Sequence, residues 1–228
     1  MSRICAFCRK PIDHFGNWAS TIQGPMHSKC FEVWKKKNFR KVLRNAMKKL
    51  KALSKDEKIR SSLSTVTDHE EAKERVMSLL EDAGFIVCTE VLMPRYRQDL
   101  IDYILHGTSP LMRSRRIFGT LPRLDLVGLL VFNGYRDPSL VLGIEISFTS
   151  LQHDLLKLKK YAELYPKILD LKIIVTNHLS GIVDDIKLTT LENFVDVIIQ
   201  FLGGKIKDYE KRMKLNGGES SEVVVRGS

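Results

Sequence analysis

Apolar and polar positions along the chain follow two different periods, separated by a stretch with neither. From Phe31 to Leu53, apolar residues recur at Phe31, Trp34, Phe39, Val42, Leu43, Met47, Leu50 and Leu53, close to the 3.6-residue repeat of a helix. The segment from Ser54 to Asp68 is rich in Ser, Thr and charge and reads as a linker. Beyond it, helical and extended patterns take turns. Asp68 is a suitable N-cap with Glu71 three positions later; Ala72, Val76, Leu79, Leu80 and Ala83 form one apolar stripe, and Gly84 ends that helix. Strands are predicted over 85–93, 124–132, 140–147 and 171–176, with a turn around Asn133-Gly134 and Asp137-Pro138. A helix is predicted from Leu151 to Tyr165, stopped by Pro166. Residues 193–201 suit either a fifth strand or part of a helix, and Lys205–Lys214 a basic helix.

The order helix, strand, strand, strand, helix, strand predicts an α/β fold with helices packed on a mixed sheet. Four regions follow: a small module over 1–33, a basic helix and linker over 34–67, an α/β domain over 68–203, and a basic C-terminal helix and tail over 204–228. Arg226-Gly227-Ser228 has the look of an expression-vector scar.

Composition narrows the classes. The 228 residues are 43% hydrophobic, enough for a packed core. The longest apolar stretch, near Leu124–Phe132, is interrupted by Asp125 and is far short of the roughly 18 residues a membrane span needs. No apolar stretch resembling a secretory signal follows Met1, so a soluble, cytoplasmic protein without membrane contact is expected. Few Gln and abundant Lys, Glu, Leu and Ile match the bias of thermophile proteins, such as those of an archaeal cell or the host of an archaeal virus. The net charge of +10 favours a polyanionic partner, because Lys and Arg release counterions from phosphates.

Three of the four cysteines crowd the first 30 residues in the array Cys5-x2-Cys8-x18-His27-x2-Cys30. Each pair lets one tight turn aim two ligands at one ion, and four such ligands close a tetrahedral structural Zn²⁺ site. His14 is a substitute ligand with poorer spacing. Trp18 and Ile22 are expected to cover the metal, and Gly24-Pro25 to supply a turn. The run from Gly24 to Phe31 resembles the second ligand pair of treble-clef and LIM-type fingers, where that pair opens a helix.

Between Phe31 and Arg60 there are 12 Lys or Arg against three acids. Lys35, Lys36, Lys37, Arg40, Lys41 and Arg44 are the candidate DNA-contacting cations, since a helix with one basic face can follow a phosphate backbone or enter a groove.

A second chemistry lies on the hairpin. If its turn centres near residue 135 or 136, Asp125 stands across from residues 145–147, and Glu145 and Ser147 share one face of their strand. Two carboxylates converging in otherwise apolar strands need a cation or a donor. Hard oxygen ligands of this kind suit Mg²⁺ or Mn²⁺, which can acidify a bound water and clamp a phosphate oxygen.

The arrangement resembles the PD-(D/E)XK nuclease superfamily, which includes restriction endonucleases and archaeal Holliday-junction resolvases. Pro122-Arg123-Leu124-Asp125 stands for its "PD" element, Glu145-Ile146-Ser147 for Glu-x-Lys, and Gln152 opens the next helix. The likeness covers about Asp68 to Thr176. It implies a restriction-endonuclease-like α/β/α sandwich that hydrolyses DNA phosphodiester bonds. Asp125, Glu145 and the Ile146 carbonyl would hold Mg²⁺, with Glu70 as the upstream helix carboxylate. Many members are dimers, and a homodimer would suit a junction or both strands of a duplex; no residue here requires one. Ser147 replaces the lysine, so either Lys157, Lys159 or Lys160 takes over that function or the chain is a non-catalytic DNA-binding relative. Glu74 is expected on a solvated face, and Gln152, His153 and His69 within reach of the site. The connection Pro94–Arg123 is expected to be an irregular Arg-rich insertion whose Arg95, Arg97, Arg113, Arg115, Arg116 and Arg123 neutralise a bound strand. No P-loop, dinucleotide fingerprint or Ser/His/Asp order is present.

Overall fold

A computed structural model describes residues 3–12, 18–21, 23–107, 123–133 and 135–217. In chain order the elements are β1 (Arg3–Ile4), β2 (Pro11–Ile12), β3 (Trp18–Thr21), β4 (Gly24–His27), α1 (Ser28–Leu53), α2 (Glu57–Ser64), α3 (His69–Ala83), β5 (Ile86–Leu92), α4 (Arg97–His106), β6 (Arg123–Phe132), β7 (Tyr135–Ile146), α5 (Leu151–Leu164), β8 (Leu171–Thr176), β9 (Gly181–Val183), β10 (Ile186–Thr190) and α6 (Phe194–Gly217). Two small hairpins, β1–β2 and β3–β4, form the N-terminal module, and the other strands make one open mixed sheet in the order β5-β6-β7-β8-β10-β9. The antiparallel half, β5-β6-β7, meets the parallel pairs β7-β8 and β8-β10.

Strand alternation divides the core in two. Leu126, Leu130, Leu142, Ile144 and Ile146 pack under α1, α3 and α6, while Val127, Leu129, Val141 and Ile174 face α4 and α5. Gly143 lies on the second face: a Cβ there would sit 2.5 Å from a Leu169 methyl and 2.9 Å from a Leu124 methyl, so glycine lets both side chains close over β7.

Helix α3 starts and stops as its residues dictate. Asp68 accepts hydrogen bonds from the Glu70 and Glu71 amides, and Gly84 ends the helix in the left-handed region at φ 98°. Elsewhere the structure corrects the sequence reading. Helix α1 is no mere connector, because Phe39, Leu43, Ala46 and Leu50 are buried in the main core. The expected linker contains α2, capped by Asp56, and Leu63 and Val66 join the same core. Residues 194–201 are the start of one long helix, α6, that runs on through the segment expected to be a separate basic helix. The connection after β5 contains α4, whose Leu100, Ile101 and Ile104 are buried. Arg97 points inward: its guanidinium donates to the Ile168 carbonyl (2.7 Å), the Ser139 carbonyl (3.0 Å) and Asp170 (2.6 Å), tying β7 to the start of β8 rather than awaiting phosphate.

Candidate metal centre and carboxylate site

The first site is assembled from local turns. The chain reverses between β1 and β2 with Arg9 at φ 62°, the Arg9 amide donating to the Cys5 carbonyl and the Cys5 amide to the Lys10 carbonyl. That turn carries Cys5 and Cys8. His27 ends β4, and Cys30 lies in the first turn of α1. One ligand atom from each of Cys5, Cys8, His27 and Cys30 lies within 4.8 Å of the others, so the four are positioned to hold a metal ion. The imidazole is already oriented. Its Nε2 is 3.0 Å from the Pro11 carbonyl, which can only accept; Nε2 therefore donates, leaving Nδ1 toward the Cys8 (3.4 Å) and Cys30 (3.8 Å) sulfurs.

Electrostatics point the same way. Burial raises the Cys5 thiol, but hydrogen bonds from the backbone around Cys8, His27 and Phe7 outweigh it and bring the group down to about 6. Cys30 is pushed up to about 12 by burial and by its thiol neighbours Cys8 and Cys5. The rise of Cys30 is the cost of adding negative charge beside the other two sulfurs, and a cation bound among them would offset it. The expected cover differs: Trp18 is 37% exposed beneath the Arg3 guanidinium, while Cys5, Ile12, Met26 and Trp34 form the module's core. Ile22 and the substitute ligand His14 lie outside the described residues.

The second site is made by register. Leu126 faces Ile144 across β6 and β7, so one step on, Asp125 comes level with Glu145. Asp125 Oδ2 accepts from the Ile146 amide at 2.8 Å and lies 3.4 Å from His69 Nε2. Glu145 is 1% exposed; one oxygen accepts from Lys157 Nζ at 2.6 Å, and the other is buried with no partner among the described residues. Burial first, then the Asp125 charge, pushes the Glu145 carboxyl up to about 8 despite Lys157. A cavity of about 250 Å³ opens here, lined by Thr67, His69, Asp125, Glu145, Ile146, Ser150, Asp154 and Lys157 among others.

Of the three candidate lysines, α5 brings Lys157 to the carboxylates, whereas Lys159 pairs with Asp184. Ser147 is buried and its hydroxyl has no partner among the described residues. Gln152 is exposed and lines a groove with Val183 and Ile186, apart from the carboxylate cavity. Glu70 is 68% exposed; hydrogen bonds from Lys73 and then His69 hold it below the usual carboxylate range, and it does not line the cavity. Two further carboxylates, one lining the cavity and one outside it, were not singled out by sequence. Asp154 is buried, accepting from the Ser150 hydroxyl (2.9 Å) and lying 3.3 Å from His153 and 3.8 Å from Lys157. Glu90 sits at φ 52° between the paired residues Thr89 and Val91, and its carboxylate meets Lys73 (2.9 Å) and Arg123 (3.6 Å). Asp154 could have been found as the α5 position three residues before Lys157; the Glu90 conformation leaves no sequence signal.

The basic helix is only partly free. Lys36, Lys37, Lys41 and Arg44 are exposed, Arg44 pairing with Glu210 at 2.5 Å. Lys35 instead lies against the Phe31 ring and pairs with Glu32, and Arg40 is half-buried. Arg113, Arg115 and Arg116 lie outside the described residues. Among the described residues no helix is long and apolar enough to cross a membrane. The chain was compared with family models, curated proteins and solved structures, and none of them gives a significant match.

Proposed function

We propose that the chain is a metal-dependent DNA endonuclease of restriction-endonuclease-like α/β/α architecture, with a structural Zn²⁺ module. The observation that carries this reading is Glu145: one oxygen is buried without a partner among the described residues, the other meets Lys157, and Asp125 stands level with it across the hairpin. Buried charge is expensive unless compensated, and a divalent ion supplies what the orphaned oxygen lacks. Asp125, Glu145 and the Ile146 carbonyl would hold Mg²⁺ or Mn²⁺, whose chemistry is to neutralise phosphate charge and acidify a water. Lys157 would take the role left by Ser147, easing the ionisation of Glu145 and presenting its ammonium to the cavity where phosphorane charge develops. His69, fixed between Glu70 and Asp125, orients the Asp125 carboxylate. The Cys5, Cys8, His27 and Cys30 donor set of three sulfurs and one nitrogen suits Zn²⁺.

A second reading, favoured by the unpartnered Ser147 hydroxyl in the lysine's place, is a DNA-binding relative without turnover. Plasmid, linear, branched and single-stranded DNA incubated with Mg²⁺ or Mn²⁺ separates the two. Cleavage that disappears with Asp125→Asn and with Lys157→Met supports the enzyme; binding without cleavage under every condition leaves the second reading.

A further inference from the structure

Helix α1 is 26 residues long, and five of its exposed cations fall in one row. Lys37, Lys41, Arg44, Lys48 and Lys51 are all exposed and follow one another at intervals of four, three, four and three residues. Such spacing keeps them within about 40° of one line on the helix. From Lys37 to Lys51 the line extends about 21 Å. The opposite face is committed: Phe39, Leu43, Ala46 and Leu50 are buried in the core against α3 and α6, so the stripe cannot turn away from solvent. At its N-terminal end the helix is anchored twice. Cys30 belongs to the metal cluster, and Trp34 packs edge-on against Phe132 at the hairpin end, with ring centroids 5.3 Å apart. The stripe is therefore a straight, rigid row of positive charge on the sheet domain.

We infer that this row is a docking surface for the phosphate backbone of double-stranded nucleic acid, read without regard to sequence. The inference rests on the reading of the carboxylate site as acting on DNA and specifies duplex as the form that is held. Three features select duplex. The row itself is built of Lys and Arg, with Arg44 also paired to Glu210. The exposed large apolar residues among those described include Val33, which precedes it, but none from Lys37 to Lys51 on which a base could stack, as single-strand grooves require. A rigid row matches a rigid duplex, whose charge density per ångström is double that of one strand. An anionic membrane surface would also attract the cations, but the apolar face that such a helix would insert is already buried in the core.

The test compares a Lys37/Lys41/Lys48/Lys51→Gln variant with a control carrying the same charge change elsewhere, Lys10/Lys160/Lys167/Lys207→Gln. Arg44 is left intact because of its pairing with Glu210. Affinity for a 30-base-pair duplex, the matching single strand and vesicles containing phosphatidylserine is measured from 50 to 300 mM salt without added Mg²⁺. Circular dichroism checks that both variants fold. The expected result is tighter binding of duplex than of single strand by the unmodified chain. The plot of log K against log salt should also flatten by 3 to 4 in the stripe variant, roughly 0.9 per lysine, and by less than 1 in the control. Equal slopes in the two variants overturn the inference; so does preference for the single strand or for vesicles. Cleavage assayed in parallel keeps the outcomes apart: a nuclease with an unaltered salt slope has lost only the stripe, whereas a flattened slope without cleavage has lost only the enzyme.

Discussion

The thiol cluster, positioned to hold a metal ion, and the carboxylate cavity, proposed to hold one, are built in opposite ways. The cluster sits in two short hairpins whose core is Cys5, Ile12, Met26 and Trp34. So little apolar surface cannot hold a fold by itself, and the ligands must act as core. The carboxylates sit instead on β6 and β7, between two layers of helices, where the backbone is fixed whether or not an ion is present. In the first site a bound metal would make the structure. In the second the structure presents charges that it leaves incompletely compensated, which is what a site for chemistry rather than for folding requires.

The largest effect should come from breaking the first site. Cys30→Ala removes one ligand, and bound Zn²⁺, measured by elemental analysis, should fall from one to near zero per chain. Amide exchange over residues 3–30 should then rise by more than 100-fold while that of β6 and β7 changes little. Equal loosening of both regions would show that the module and the sheet fold as one unit. Next in size is Lys157→Met. It leaves Glu145 buried without its cation, which should destabilise the chain by about 3 kcal/mol at pH 9 and far less at pH 5, where the carboxyl is protonated. Urea unfolding at the two pH values checks this.

The same group gives a pH dependence of definite sign. Glu145 titrates near 8 when folded and near 4.5 when unfolded, so the folded chain holds the extra proton between those values. That contribution is complete below pH 4.5 and is lost as pH rises toward 8. Without divalent ions, stability should therefore fall across this window by up to about 1.4 kcal/mol per pH unit from this group, and Glu145→Gln should remove that component. Smallest of all is Gln152→Ala, which should change DNA cleavage less than threefold, because Gln152 faces the groove beside β9. A loss of 100-fold would place that groove in the active site after all.

The two sites also differ in how legible they were in the sequence. Four ligands in two close pairs, Cys5/Cys8 and His27/Cys30, are a local signal that survives any uncertainty about the rest of the fold. Asp125 and Glu145 could be paired because a hairpin has a two-residue period and one turn. Helix α3 was readable from its cap, stripe and terminal glycine. What escaped were features set by tertiary contact. The stripe around Leu43 and Leu50 reads the same on a linker helix as on a core helix, and only packing against α3 and α6 decides between them. Lys157, Lys159 and Lys160 are indistinguishable until the phase of α5 over β7 is known, and Arg97 looks like any loop arginine until Asp170 is found beside it. Glu90 takes a conformation that no pattern announces.

The claim that ties these observations together is that one chain carries a thiol metal centre for folding and a carboxylate centre for chemistry. Anomalous diffraction from crystals of the chain soaked in Mn²⁺, recorded at the zinc and manganese edges, tests it directly. The account predicts zinc among Cys5, Cys8, His27 and Cys30, and manganese between Asp125 and Glu145 within about 2.3 Å of a carboxylate oxygen from each. Saturating Mn²⁺ that leaves the space between the two carboxylates without an anomalous peak would contradict it.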